Sequence, residues 1–361
     1  MRRSPVQRDI RPRDAVERMA PYEPPDSAVG DVPPRIILDA NENPFGPTPG
    51  VQEALANFHR YHRYPDPGQK ALRGLIGDYA GVDADQLMVG NGSDELIDLL
   101  CRIYLEPGDE VIDCTPTFGM YRFSADLCGA TVVEAPRGDV WQVDLGHLRQ
   151  AISRQTKIIF VATPNNPTGN HSPRSTVDGL LDTGCIVVLD EAYVEFAGSP
   201  SLCTSVADHP NLVVLRTFSK WAGLAGLRIG FGAFPSSMMA NLWKVKPPFN
   251  VNLAAEVAVR ASLEDLPLAR ERIQSIVSER DRMAEALGAV PGLRVWPSDA
   301  NFVLVTNTER PQGKLKDHLK TDGIAVRTYS HPRLQGAIRI SVGLPEQTDE
   351  LLRSVRRWAG A

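Results

Sequence analysis

The sequence predicts an α/β protein: a large domain with a mostly parallel sheet flanked by helices, followed by a smaller C-terminal α/β domain. Three observations predict it. The short apolar runs EVIDC, ATVVEA, KIIFVAT, CIVVLD and NLVVLR alternate with polar or helical stretches between residues 110 and 216. Runs with so little polar alternation suit strands covered on both faces, as in a parallel sheet. Composition then shifts at PPFN (247–250), and a second, smaller set of helical and strand-like segments follows.

In chain order, residues 1–35 are rich in Pro and Arg and read as an irregular N-terminal arm. The large domain is expected over 36–250. VQEALANFHRY and KALRGLIGDYAG have helical spacing, QLMVG is a short strand, and SDELIDLLCRIYL is an amphipathic helix closed by EPGD. The five apolar runs follow. The C-terminal domain, 251–361, is expected to hold one or two helices over 254–287. Three strand-like runs come next, LRVWPSDANFVLV, GIAVRTY and AIRISVG, and a last helix, TDELLRSVRRWAG.

The 361 residues suffice for a large core and two domains. A net charge of −5 gives no basic face for nucleic acid. The five cysteines form no CxxC pair, which argues against a disulfide framework or a zinc knuckle and fits a reducing cytoplasm. No metal site is expected. No apolar run approaches the roughly 20 residues that span a bilayer, and the Arg-rich N-terminus lacks the apolar stretch of a secretory signal.

Ligands of open α/β sheets sit outside the carboxyl ends of the strands, so the residues after each run carry the chemistry. After QLMV comes GNGSDE, where Gly92, Ser93 and Asp94 can offer N–H groups and a hydroxyl to a phosphate at a helix N-terminus. An ordinary N-cap at Ser93 or Asp94 fits the same pattern. After KIIFVAT comes PNNPTG, a tight turn that can hold Asn166 at the sheet edge. After CIVVL comes DEAY, placing Asp190 and Tyr193 together; a carboxylate there needs a cationic or protonated partner. After LVVLR comes TFSK, with Ser219 and Lys220. Arg228 lies eight residues beyond. A phosphorylated pyridine aldehyde would use all of these groups: lysine for the imine, carboxylate for the ring nitrogen, amide and phenol for the ring oxygen, and loop plus arginine for the phosphate. In AIRISVG, a period of two puts Ile338, Ile340 and Val342 on one face and Arg339 on the other. Its fork suits a carboxylate, although surface strands also carry exposed arginines.

The set NPTG, DEAY and SK…GLRIG resembles the fold-type I pyridoxal-phosphate aminotransferases. LDANENPFGP (38–47), RYPDP (63–67), VGNGSDELIDLL (89–100), PTFGMY (116–121), KVKPPFNVN (244–252) and PSDANFVLV (297–305) resemble the histidinol-phosphate aminotransferase family within them. The resemblance covers nearly the whole chain. It implies pyridoxal 5'-phosphate as cofactor and Lys220 as the Schiff-base lysine and proton carrier, which must be neutral to act as a base. It implies Asp190 at the pyridinium nitrogen, Asn166 and Tyr193 at the ring oxygen, and Phe118 stacked on the ring. Ser93, Ser219 and Arg228, with the backbone at Gly92 and Asp94, would form the phosphate cup. Tyr64 would reach the phosphate from a neighbouring subunit, which implies a homodimer with shared sites. Substrate binding would fall to Arg339, Arg327, Asn41 and Tyr22 of the N-terminal arm. The loop TYSHPRLQG lacks a match and offers His331 and Arg333 near the site entrance.

The activity so implied is transfer of an amino group from glutamate, by way of the cofactor, to imidazole-acetol phosphate in histidine biosynthesis. An aromatic amino-acid aminotransferase or a threonine-phosphate decarboxylase would share every cofactor residue. A non-catalytic member should lack Lys220 or Asp190. A nicotinamide dehydrogenase should show GxGxxG after its first strand, which GNGSDE does not supply.

Overall fold

A computed structural model describes residues 11–21, 33–307 and 314–360 of the chain. Twelve strands are described: β1 (Ile36–Leu38), β2 (Leu87–Gly90), β3 (Glu110–Asp113), β4 (Thr131–Glu134), β5 (Thr156–Ala162), β6 (Ile186–Asp190), β7 (Leu212–Thr217), β8 (Gly230–Ala233), β9 (Leu293–Trp296), β10 (Phe302–Asn307), β11 (Ile324–Val326) and β12 (Ala337–Ser341). Seven of them form the central sheet in the order β2-β8-β7-β6-β5-β3-β4. Strands β3 to β7 pair in parallel, and β8 runs antiparallel to both of its neighbours.

Two cores explain why the strand runs are apolar at nearly every position. Ile159, Val161, Val187, Leu189, Leu212 and Val214 pack into one core. Their neighbours Ile158, Phe160, Val188, Val213 and Leu215 pack into the other, with Leu96, Leu100 and Tyr121 from helices Ser93–Tyr104 and Met120–Cys128. Successive side chains leave opposite faces of a strand, so covering both faces demands apolar residues throughout. Arg216 breaks the run in β7. It is buried, with Nη2 paired at 2.6 Å to Glu195 Oε1 and at 2.8 Å to the Tyr79 hydroxyl.

Four local expectations differ from the structure. The helix expected over 51–61 is Pro49–Ala56, ended by Asn57, whose N–H donates back to Glu53 and Leu55 carbonyls. LRVWPSDANFVLV is two antiparallel strands, β9 and β10, separated by the turn-forming PSDAN. Strand β8 was not legible, because GFGA has neither β-branching nor alternation. Its glycines are a packing requirement. A Cβ on Gly230 would lie 2.6 Å from the Ser93 nitrogen and 2.8 Å from the Arg216 carbonyl. The N-terminal arm, expected to lack regular structure, contains one short helix, Asp14–Arg18, and Arg13 Nη2 donates to the Leu127 carbonyl at 2.9 Å.

The C-terminal strands form an antiparallel sheet, β12-β10-β9. Strand β1 pairs in parallel with β11, tying residue 36 onward to the C-terminal unit, and helix Leu253–Glu264 packs on helix Pro49–Ala56. The central sheet and the C-terminal strands thus share one continuous core.

Gly230→Ala is expected to cost about 2 kcal/mol, the usual penalty for forcing atoms into a filled space. Denaturant unfolding of the apoprotein measures it, and the phosphate-side loop at Gly92–Ser93 should loosen with it.

Candidate active site

The carboxyl ends of β2, β5, β6 and β7 open into a cavity of about 530 Å³. Lys220 lies on its wall, three residues past the end of β7. Its Nζ donates to the Ala40 carbonyl at 3.1 Å. Burial, and after it the Arg339 charge, bring its pKa down from the usual lysine value to about 8. A neutral amine is therefore available near neutral pH, the condition for a lysine nucleophile or base.

Asp190 ends β6, buried in the same wall. Its Oδ2 accepts from the Tyr121 hydroxyl at 2.7 Å, and its Oδ1 accepts from the Ala192 N–H at 3.0 Å. Burial raises its pKa to about 6, with both hydrogen bonds opposing the rise. Such a carboxylate is short of a cation and would gain by facing one. Tyr193 is buried with its phenol pushed up to about 12, chiefly by burial. It stays protonated and able to donate. Asn41 Nδ2 donates to the Tyr193 hydroxyl at 2.9 Å. Asn41 adopts a left-handed φ of 54°, which asparagine tolerates better than most residues. Ser341 holds it on both sides, accepting from the Asn41 N–H and donating to Asn41 Oδ1, each at 2.9 Å.

The phosphate-type loop is built as the motif requires. Gly92 has φ 78°, and a Cβ there would come 2.7 Å from Arg228 Nη2. The first N–H groups of helix Ser93–Tyr104 are unpaired within the helix by its geometry. Arg228 Nη2 donates to Asp94 Oδ2 at 2.9 Å, so the guanidinium stands over the helix start. The Thr217 hydroxyl donates to Ser219 Oγ at 3.0 Å. Gly223 allows the chain to double back, since a Cβ there would strike the Gly46 backbone at 2.5 Å. N–H groups, hydroxyls and one guanidinium around a glycine cradle form a donor set that fits a phosphate. With the amine and carboxylate beyond it, the residues fit a pyridine aldehyde phosphate.

Arg339 is buried in β12, facing the cavity rather than solvent. Its Nη1 donates to Asn166 Oδ1 at 2.6 Å and its Nη2 donates to the Asp39 carbonyl. Its Nε has no acceptor among the described residues. Arg327 also lines the cavity and exchanges both backbone hydrogen bonds with Arg339, at 3.0 and 2.8 Å. Phe118 lines the wall and meets Tyr121 edge-on at 5.6 Å.

Four expected residues are not among those lining the cavity in the described structure. Tyr64 is 79% exposed, stacked on Phe249 at 4.5 Å, and is not part of this chain's own cavity wall. Tyr22 lies outside the described residues, although Met19, Ala20 and Pro21 before it line the cavity. His331 and Arg333 follow Ser330 of the cavity wall but do not line it themselves. Arg333 turns away to the Arg137 and Gly138 carbonyls, and His331 Nδ1 accepts from the Arg333 N–H at 3.2 Å.

Sequence reading missed several residues that hold the site together. Tyr121, three positions after Phe118 in PTFGMY, binds Asp190. Asn250 Nδ2 donates to the Val89 carbonyl at 3.1 Å and to Glu95 Oε2 at 2.6 Å, bracing the phosphate-type loop from behind. Arg137, fully enclosed, donates to the Cys114, Trp141 and Ala162 carbonyls. The helical spacing of Phe118 and Tyr121 was a usable signal for the first; nothing local marks the others.

The chain matches the family described as aminotransferase class I and II over residues 33–355. It is 49% identical over 335 residues to the histidinol-phosphate aminotransferase of Roseiflexus castenholzii, covering 90% of each chain. It is 43% identical to the chloroplastic histidinol-phosphate aminotransferase of Nicotiana tabacum, covering 94% of this chain and 83% of that one. Among solved structures, the histidinol-phosphate aminotransferase of Sinorhizobium meliloti in complex with pyridoxal-5'-phosphate superposes with a TM-score of 0.89 at 26% identity, over 98% of this chain and 99% of that one.

Tyr121→Phe removes one of two donors that hold the Asp190 pKa down. The acid limb of the kcat/KM profile should move to higher pH, and kcat/KM should fall about 10-fold, as expected for losing a hydrogen bond to a charged group.

Proposed function

The chain belongs to the class I and II aminotransferase family, and we propose that it transfers an amino group between L-histidinol phosphate and 2-oxoglutarate, with pyridoxal 5'-phosphate held at Lys220. The observation that carries this reading is a single cavity in which an amine with a pKa of about 8, a buried carboxylate and two arginines face one another. Relatives at 49% and 43% identity bearing the name histidinol-phosphate aminotransferase support the choice of substrate.

When bound, pyridoxal phosphate supplies the aldehyde that carries the amino group and a cationic ring that draws electrons from the substrate α-carbon. The protein does the rest. Lys220 Nζ, once neutral, would carry the proton between the substrate α-carbon and the cofactor C4′ atom. Asp190 would keep the proton on the ring nitrogen. Tyr193, held by Asn41, would donate its O–H toward the ring oxygen. The N–H groups at Gly92–Asp94, with Ser93, Ser219 and Arg228, would hold the phosphate. Arg339 and Arg327 bind the substrate's anionic group. A guanidinium fork accepts a carboxylate or a phosphate equally well, so one pair serves both glutamate and histidinol phosphate.

The small-molecule donor and acceptor enter a site that a second copy of the chain completes. Tyr64, exposed and braced by Phe249, is the residue proposed to reach the partner's phosphate cup in a homodimer. No described helix is long and apolar enough to cross a membrane, and a cytoplasmic enzyme is proposed.

Comparing L-histidinol phosphate, phenylalanine and threonine phosphate as substrates, with 2-oxoglutarate as acceptor, tests the reading. The highest kcat/KM is expected for histidinol phosphate. A preference for phenylalanine, or release of carbon dioxide from threonine phosphate, would overturn it. Lys220→Ala should abolish transfer and leave the cofactor bound without a covalent link, which mass spectrometry after borohydride reduction detects.

A further inference from the structure

The segment after β11 carries Arg327 and Tyr329 into the cavity wall, and Ser330 follows them there. Beyond it, Pro332–Leu334 makes a single 3-10 turn, with the His331 ring accepting from the Arg333 N–H. The Arg333 guanidinium reaches from this turn to the loop that follows β4. Its Nη1 donates to the Arg137 carbonyl, its Nη2 donates to the Gly138 carbonyl at 3.0 Å, and its Cζ lies 4.9 Å from the centroid of the Trp141 ring.

What it grips is itself tied to the cofactor side. Arg137 is 2% exposed. Its guanidinium donates to Cys114 O at 3.0 Å, Trp141 O at 3.1 Å and Ala162 O at 3.3 Å. Cys114 follows β3 and Ala162 ends β5, and the loops that leave those two points carry Phe118 and Asn166. Asn170 Nδ2 also donates to the Trp141 carbonyl, at 2.9 Å. On the other side, the Arg327 and Arg339 backbones are locked to each other by two hydrogen bonds. A continuous set of short contacts therefore runs from the substrate arginines, through Arg333, to the loops that hold Phe118 and Asn166.

We propose that Arg333 is a positioning residue, a latch that fixes the distance between the anion-binding arginines and the cofactor-side loops by pinning the 327–334 segment to the 137–141 loop. Part of this inference, the arginines' role with substrate, rests on the functional reading above. A planar guanidinium suits the task, because two adjacent carbonyls and a ring face can be engaged at once. Leu334, 2% exposed, packs with Trp141 and Trp296, so the turn keeps an apolar anchor when the guanidinium's hydrogen bonds are removed. Removing the latch should therefore leave the fold in place while the segment gains freedom.

Arg333→Met keeps the apolar stem and removes the donors. In the holoenzyme, the Arg327 and Arg339 amides should exchange with deuterium about 10-fold faster than in the parent, the scale of one lost charged hydrogen bond. KM for the amino donor should rise by about the same factor, while kcat and cofactor affinity stay within about twofold. Arg333→Lys, which keeps a charge but not the fork, should recover part of both effects. The proposal is overturned if those two amides exchange alike in variant and parent. It is equally overturned if kcat, KM, cofactor affinity and melting temperature all worsen together, since a general packing role would do that. Should the parent fail to turn over histidinol phosphate, the functional reading falls, and the exchange measurement still decides the latch.

Discussion

Everything at this site depends on keeping one lysine amine short of its proton. Lys220 lies just past the end of a strand buried on both faces and is itself half-buried, so water solvates its charge poorly, and Arg339 adds a like charge nearby. Desolvation is the larger influence and the arginine the second. Neither would act on a lysine in a surface loop. The apolar run LVVLR and the glycines that follow it are thus part of the chemistry, because they bring the amine to a dry sheet edge and allow Arg228 to fold back over the helix start.

The same dryness sets the partners. Asp190 is raised by burial just as Lys220 is lowered by it, and the two groups are pushed toward neutrality from opposite directions. A cationic ring held at Asp190 would relieve the carboxylate, and Lys220 would remain available as the proposed base. Tyr193 remains a donor because its phenol is far above neutral. Positioning then falls to residues without a chemical role: Tyr121 on Asp190, Ser341 and Asn41 on Tyr193, Asn250 and Glu95 on the phosphate-type loop, and Arg333 on the segment bearing the arginines.

The sequence made much of this legible. Apolar runs marked six of the seven central strands, since two covered faces leave an unmistakable composition, and the strand ends pointed to Lys220, Asp190, Asn166 and Ser93. Strand β8 escaped because its glycines answer to close packing, Gly230 against the Ser93 backbone and Gly232 against the Phe234 and Leu215 side chains, rather than to strand propensity. Tyr121 and Arg137 escaped because their partners lie 69 positions away, in Asp190, and 23 and 25 positions away, in Cys114 and Ala162. No local pattern encodes such pairings. Arg333 was visible as a cation near the site, yet its direction was not, because the carbonyls it meets belong to a loop 195 and 196 positions earlier.

The central claim is that the fold itself lowers the Lys220 pKa to about 8. The most direct measurement is the rate at which apoenzyme captures pyridoxal phosphate covalently, followed by absorbance across a pH series at constant ionic strength. Only the neutral amine reacts, so the rate should climb with pH, reach half its maximum near 8 and level off above that. A rate that keeps rising toward the ordinary lysine value of about 10.4 would contradict the account, because the amine would then be no more poised than one in water.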